Sequence, residues 1–453
     1  MASSSDIIHS LLKKRLFSGG LWAIAGSMLT ALMGLIVNAL LSRLLTPEEF
    51  GAYFLTFSFA TVSMLLARLG LGAAVVRLIA ESIGLNNLGR ARAIIKKIFI
   101  LATIGILLVC TIIAMGFGQW LSLELMKSSL MYSVIGLVPI LIAINTYRSL
   151  IAETFRGFHD IKFASIFNGL ISSIFSALFF AVLWIVWGHS NLKEILLLSI
   201  VAGAMSTLMS FFVLTRKIQT LENDGKVRIK EILAISSPLL VVNLALYVFT
   251  QADIWVIGAF RSQEDVAVYG AAVRLVQLVA MPLLIVNSVV PPVIAELFAQ
   301  GKKEELEKIL QKTASIACLP TFVILVIYFL FSGPILSLVY GDFYYQGASV
   351  ILILSFGQLV SVWAGSCGLT LMMSGYQTIM MGITLFSGFV TMALNLFVVN
   401  RYGVTGVAGA TAFGWGLQNI IMLLTVRYKV GIWTNADSRS LRSIIQDIRL
   451  TND

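Results

Sequence analysis

Uninterrupted apolar runs of about 20 residues, the length one helix needs to cross a bilayer, recur from end to end of this 453-residue chain. Lipid offers the backbone no hydrogen bonds, so only helices and closed barrels can span it. Barrel strands alternate polar and apolar residues over about 10 positions, whereas these runs do not alternate. The expected class is therefore an all-α integral membrane protein. Composition agrees: 58% of residues are hydrophobic and 12% charged, where soluble domains carry about 25% charged residues.

Twelve spans are expected, at roughly 18–41, 51–82, 98–118, 130–153, 164–188, 194–216, 232–257, 266–294, 313–333, 347–373, 378–399 and 404–426. Residues 6–17 read as a basic interfacial helix, 438–450 as a second and 296–312 as a third. The N-terminal apolar stretch is too long for the core of a cleaved signal peptide and reads as a retained span. Lys and Arg gather in alternate loops, with only Arg43, Lys127, Lys193, Arg261 and Arg401 on the opposite side. By the positive-inside rule both termini are cytoplasmic, and the multi-pass chain belongs in the cytoplasmic membrane.

The charged loop 216–231 divides the chain into an N-lobe, 1–225, and a C-lobe, 226–430, followed by a cytoplasmic amphipathic tail, 431–453. Residues 49–81 (EFGAYFLTFSFATVSMLLARLGLGAAVVRLIAE) return in similar form at 265–296 (DVAVYGAAVRLVQLVAMPLLIVNSVVPPVIAE). Each copy opens on an acid and a Tyr and closes on Ile-Ala-Glu. Six spans per half make this a parallel pseudo-repeat about an axis along the membrane normal. Pro282 and Pro320 lie within spans and should kink them.

Four cations fall outside the loops: Arg68, Arg77, Arg148 and Arg274. Read as one helix, 51–82 carries Arg68 about 25 Å into its span. An arginine at that depth faces a wet cavity or an anion, reaches for the surface, or pairs with a carboxylate. Arg77 stands four residues before Glu81 and can pair with it. Arg148 follows Asn145 and Tyr147, and Arg274 precedes Gln277 by one turn. Asp253, the one acid well inside a span, is either an H+ or Na+ coupling site or a partner of Arg274 or Arg261. A stripe of small and polar residues (Ser27, Ala31, Gly34, Asn38, Ser42) packs helices or lines a lumen; Asn243, Tyr247 and Gln251 form another.

Other chemistries find no support. Cys110, Cys318 and Cys367 read as packing residues within spans, and His9, His159 and His189 are scattered. The sequence has no metal-ligand spacing, no phosphate-binding loop and no nucleophile motif, so no cofactor and no enzyme activity are expected. The net charge of +10 sits in loops without interleaved aromatics, which excludes nucleic acid.

NALLSRLLTPEEFGAYFL (38–55), GLGAAVVRLIAE (70–81), AETFRGFHDIKFAS (152–165) and TQADIWVIG (250–258) resemble polysaccharide-biosynthesis flippases of bacteria and archaea. These belong to the multidrug/oligosaccharidyl-lipid/polysaccharide (MOP) exporter superfamily. The resemblance implies two six-helix lobes around a central cavity, as in MATE exporters, working by alternating access. It also implies a lipid-linked oligosaccharide substrate carried on polyprenyl phosphate or pyrophosphate. Interior cations, here Arg68, Arg77, Arg148 and Arg274, suit that phosphate. A monomer in the lipid bilayer is expected. The alternatives are an ion-coupled multidrug exporter of the same superfamily, whose cavity would favour acids, and a membrane glycosyltransferase or polymerase, which would need a larger outer loop than 334–346. A purely structural membrane partner would leave the interior arginines unexplained.

Overall fold

The computed structural model describes residues 25–26, 28–85, 87–219, 221 and 227–437. The expected surface helices at 6–17 and 438–450, the start of the first span and Ser27 lie outside them. Every regular element among the described residues is helical. Ten helices among the described residues are long and apolar enough to cross a membrane, and Met28–Leu44 is a shorter apolar helix. Cα packing divides the chain into two compact units, Met1–Val248 and Phe249–Asp453.

In the first unit α1 is Met28–Leu44. Thr46 then caps α2, Pro47–Ala67, by accepting the Glu49 amide while the Glu49 carboxylate takes the Thr46 amide; Pro47 at the first turn suits its fixed φ. The expected single helix over 51–82 is wrong. α2 stops at Ala67, Leu69 and Gly70 adopt positive φ (49° and 72°), and α3 begins afresh, Leu71–Gly84. Close packing holds this break open. A Cβ on Gly70 would meet the Ser236 carbonyl at 2.1 Å, and one on Gly105 would meet the Ala67 carbonyl at 2.1 Å. At 1.5 Å per residue α2 is about 30 Å long, one hydrocarbon thickness. Arg68 therefore caps a helix about one hydrocarbon thickness long, where the sequence places it inside a longer span.

The remaining helices of this unit are α4 (Leu88–Leu125), α5 (Ser129–Gly157), α6 (Ile161–Trp187) and α7 (Leu192–Gln219). α3 buries Leu71, Val75, Leu78 and Ile79 with Ile94, Ile95 and Ile98 of α4 and Leu150 of α5. α5 packs on α2, α3 and α7, and α6 on α7. A π turn at Ile166–Leu170 kinks α6 at Gly169. Ile100, Ile104, Leu107 and Leu108 of α4, and Leu178, Val182 and Ile185 of α6, remain exposed, as suits a lipid-facing surface.

α8, Ile229–Phe260, passes through the division into the second unit. Ser262 caps α9, Gln263–Ala299, whose backbone stays helical through Pro282, Pro291 and Pro292. α10, Lys303–Tyr340, stays helical through Pro320 as well; its break is at Phe331, three residues before Pro334. Proline crowds the preceding turn, and here Pro334 rather than Pro320 marks the irregularity. No separate helix forms over 296–312, since α9 and α10 divide that stretch between them.

The expected span 347–373 is also two helices, α11 (Ala348–Ala364) and α12 (Cys367–Met373), parted at Gly365. α13, Gln377–Lys429, turns back at Gly403 (φ 59°, ψ −145°). The facing pairs Thr391 with Gly414 and Val398 with Gly406, and Thr384 with Gln418, run in opposite senses, so α13 is an antiparallel hairpin. Beyond it, residues 431–437 lie along this unit. The Thr434 hydroxyl donates to the Ala364 carbonyl at 2.8 Å and the Ala436 amide to that of Trp363 at 2.8 Å. The Asp437 amide donates to Ser315 Oγ at 3.1 Å.

Candidate functional site

Arg68 is the residue on which α2 ends. Its guanidinium folds over the first turn of α3, where a Cβ on Gly72 would lie 2.8 Å from Arg68 Cζ. From there Nη1 donates to Ser149 Oγ on α5 at 2.6 Å. The side chain is half-buried, and Nε and Nη2 meet no protein acceptor among the described residues. Glu153, one turn beyond Ser149, is engaged by Arg156 at 2.8 Å. Arg68 is thus a cation fixed by a neutral partner, with half its hydrogen-bonding edge unused. Gly105, which admits the Ala67 carbonyl, and Ser149 were missed in the sequence.

Arg148, adjacent to Ser149 but turned to another face of α5, donates from Nη1 to Ser172 Oγ of α6. It lines a chamber of about 170 Å³ within the first unit, with Gly34, Tyr53, Asn145, Ser173, Ser176 and Ser199 among its walls. Gly34, from the expected small-residue stripe, therefore faces a lumen. The serines Ser172, Ser173 and Ser176 went unremarked in the sequence, although their spacing places hydroxyls on one side of a helix.

Arg77 is exposed on α3 and does not pair with Glu81. Glu81 instead binds Arg90 at 3.0 Å, and Arg90 also binds Glu231. Arg92 and Lys97 donate to the carbonyls of Leu221 and Val227. Three of the loop cations used to read orientation therefore also tie α4 to the segment leading into α8.

In the second unit Arg274 is exposed on α9. Asp253 is buried, 7% accessible. Its Oδ2 accepts from Tyr269 Oη at 2.6 Å and its Oδ1 from the Ile254 amide at 2.8 Å; Tyr269 Oη also lies 3.5 Å from Thr411 Oγ1. Neither expected arginine is among its hydrogen-bond partners, since Arg261 pairs with Asp265 at 2.9 Å. Tyr269 opens the second copy of the repeat, so one end of that repeat carries the acid's partner. Asn395 is fully buried, and neither of its amide atoms finds a hydrogen-bond partner among the described residues. One turn beyond the Thr391–Gly414 contact, the hairpin brings it level with Thr411.

Comparison with known proteins places this architecture. Residues 16–298 match the family described as Polysaccharide biosynthesis protein. The chain belongs to that family. Residues 238–397 also match the MatE family, and both sit within the MOP superfamily. Among relatives, a protein of Haloferax volcanii described as a probable low-salt glycan biosynthesis flippase, Agl15, is 20% identical over 231 residues. That alignment spans 50% of this chain and 48% of the relative, so the chain spans about half the length of the curated relative it matches. Among solved structures, an inward-facing multidrug resistance MATE family transporter of the MOP superfamily aligns with TM-score 0.74 at 16% identity, over 91% of this chain and 98% of that one. The lipid II flippase MurJ, inward closed, aligns with TM-score 0.70 at 15% identity, over 90% and 87%. A MOP superfamily transporter from Pyrococcus furiosus, described as having a binding pocket of reverse polarity, aligns with TM-score 0.62 at 16% identity, over 92% and 96%. These likenesses establish a MATE-like helical membrane fold for this polysaccharide biosynthesis family member.

Proposed function

We propose that this chain is a flippase moving polyprenyl-phosphate- or pyrophosphate-linked oligosaccharide from the inner to the outer leaflet by alternating access. It would cross the cytoplasmic membrane in twelve passes with both termini cytoplasmic. The family, and the glycan and lipid II flippases among its likenesses, support the class. The observation that carries the substrate is Arg68. A guanidinium at the break between α2 and α3, fixed by neutral Ser149 with Nε and Nη2 unused among the described residues, suits the phosphate of a lipid-borne carrier. Guanidinium forks bind phosphate in bidentate fashion. Arg77 and Arg274, both exposed, are further cations for the carrier. The multidrug reading would favour acids in these positions.

Transport is tested with purified protein in liposomes and a fluorescent lipid-linked oligosaccharide. Arg68→Ala lowers the flipping rate at least tenfold, a loss of about 1.4 kcal/mol in the rate-limiting interaction, with expression and melting unchanged. Arg68→Lys, a charge without the fork, recovers only part of it. A wild-type rate in Arg68→Ala rejects the phosphate assignment.

Asp253 is the proposed coupling group for H+ or Na+, supported by a buried carboxylate whose partners are a phenol and an amide. Asp253→Asn removes the charge, keeps an acceptor for the Ile254 amide and turns the Tyr269 bond round, with Nδ2 donating to Oη. Its flipping rate becomes insensitive to an imposed proton or sodium gradient. An unchanged gradient response rejects that role.

A further inference from the structure

The first unit contains a chamber that the phosphate site does not use. Arg148 sits in its wall with Asn145, Ser173 and Ser176, and no carboxylate lines it among the described residues. A guanidinium remains charged at any physiological pH, and a charge in a low-dielectric interior is costly unless an opposite charge meets it. The one hydrogen bond the Arg148 side chain makes among the described residues goes to the neutral Ser172 hydroxyl. The side chains of Asn145, Ser173 and Ser176 form no hydrogen bonds among the described residues, so their donors are available to turn inward. The Gly169 kink brings α6 and its serines against the arginine, and Gly203 lets α7 approach Ile144 of α5, where an added Cβ would come within 3.0 Å.

Donors without acids select an anion. Size then selects among anions: about 170 Å³ falls short of the roughly 300–1,000 Å³ of organic-ligand pockets but holds a halide with a few waters. We propose that the chamber is a binding site for a small monovalent inorganic anion of the halide class, which neutralises Arg148 and joins α5 to α6. The proposal is independent of the flippase reading, since its ligand is neither the carrier lipid nor the glycan.

The test uses the full-length protein in detergent, melted at constant ionic strength in sodium chloride, sodium bromide or sodium gluconate. Binding to the folded state raises the melting temperature by mass action. Chloride and bromide are expected to raise it by about 2 °C or more over gluconate, which is too large for the chamber. Arg148→Gln removes that difference. The Ser173→Ala/Ser176→Ala double variant, which keeps the guanidinium, raises the half-effect chloride concentration at least fivefold, and it decides the matter if Arg148→Gln does not fold. Equal melting of the wild type in all three salts, a halide increment that persists in Arg148→Gln, or an unshifted half-effect in the double variant overturns the proposal. Flipping is not read in this experiment, so its outcome and that of the transport assay separate the two ideas.

Discussion

At the residue scale, Gly70 matters as much as the arginine beside it. Its φ of 72° lies in the left-handed region, which costs an L-residue roughly 1–2 kcal/mol. Its missing side chain also admits the Ser236 carbonyl to 2.1 Å of where Cβ would be. Gly70→Ala must relieve both, and relief means shifting α8 or reforming the break. The expected outcome is a fall in melting temperature of about 5 °C or more together with loss of flipping; a variant that melts and flips like the wild type shows that the break tolerates a side chain. The arginines themselves were legible as unusual residues in apolar runs. Their partners were not, because Ser149 and Ser172 reach Arg68 and Arg148 through helix packing over 81 and 24 residues of sequence. Of the two readings of Asp253, the arginine pairing is not among its hydrogen bonds: the fold supplies Tyr269 and the Ile254 amide, and Arg261 turns to Asp265.

At the element scale, the two copies of the repeat start alike. Thr46 and Ser262 each accept the amide three residues on. Glu49 does more: one carboxylate oxygen returns to the Thr46 amide and the other accepts the Leu192 amide at the start of α7. Asp265 instead turns to Arg261. Loss of a hydroxyl cap costs about 1 kcal/mol, so Ser262→Ala should lower stability by that amount and Thr46→Ala by somewhat more, because the Thr46 hydroxyl also donates to the Glu49 carboxylate. Glu49→Ala should exceed both, since it also frees the α7 amide; thermal melting of the three variants checks the order. Helix starts and spans were readable from hydropathy and caps. The breaks at Gly70 and Gly365 were not, because a hydropathy window averages across a three-residue interruption, and a lone glycine in a helical run is no proof of a stop.

At the scale of the whole molecule, the helical membrane class was written in the apolar runs, while the course of residues 431–437 was not. They had been assigned to a cytoplasmic tail. Instead Ile432 and Thr434 are buried, and the segment donates to carbonyls at the end of α11, groups that a helix end leaves without partners. Polar residues in a C-terminal stretch give no sign of such a role. A chain stopped after Lys429 should express poorly or melt well below the wild type, whereas one stopped after Asp437 should keep its melting temperature; equal behaviour of the two truncations would show that the segment does not hold its unit together.

The repeat also carries an inequality. Its first copy is jointed at residues 68–70, while its second is a rod of 37 residues. Grafting residues 263–299 in place of 47–84 would preserve hydropathy, caps and length, yet leave no elbow on which a guanidinium could be presented. Two similar strings of letters thus fold into unlike shapes, one bent and one continuous.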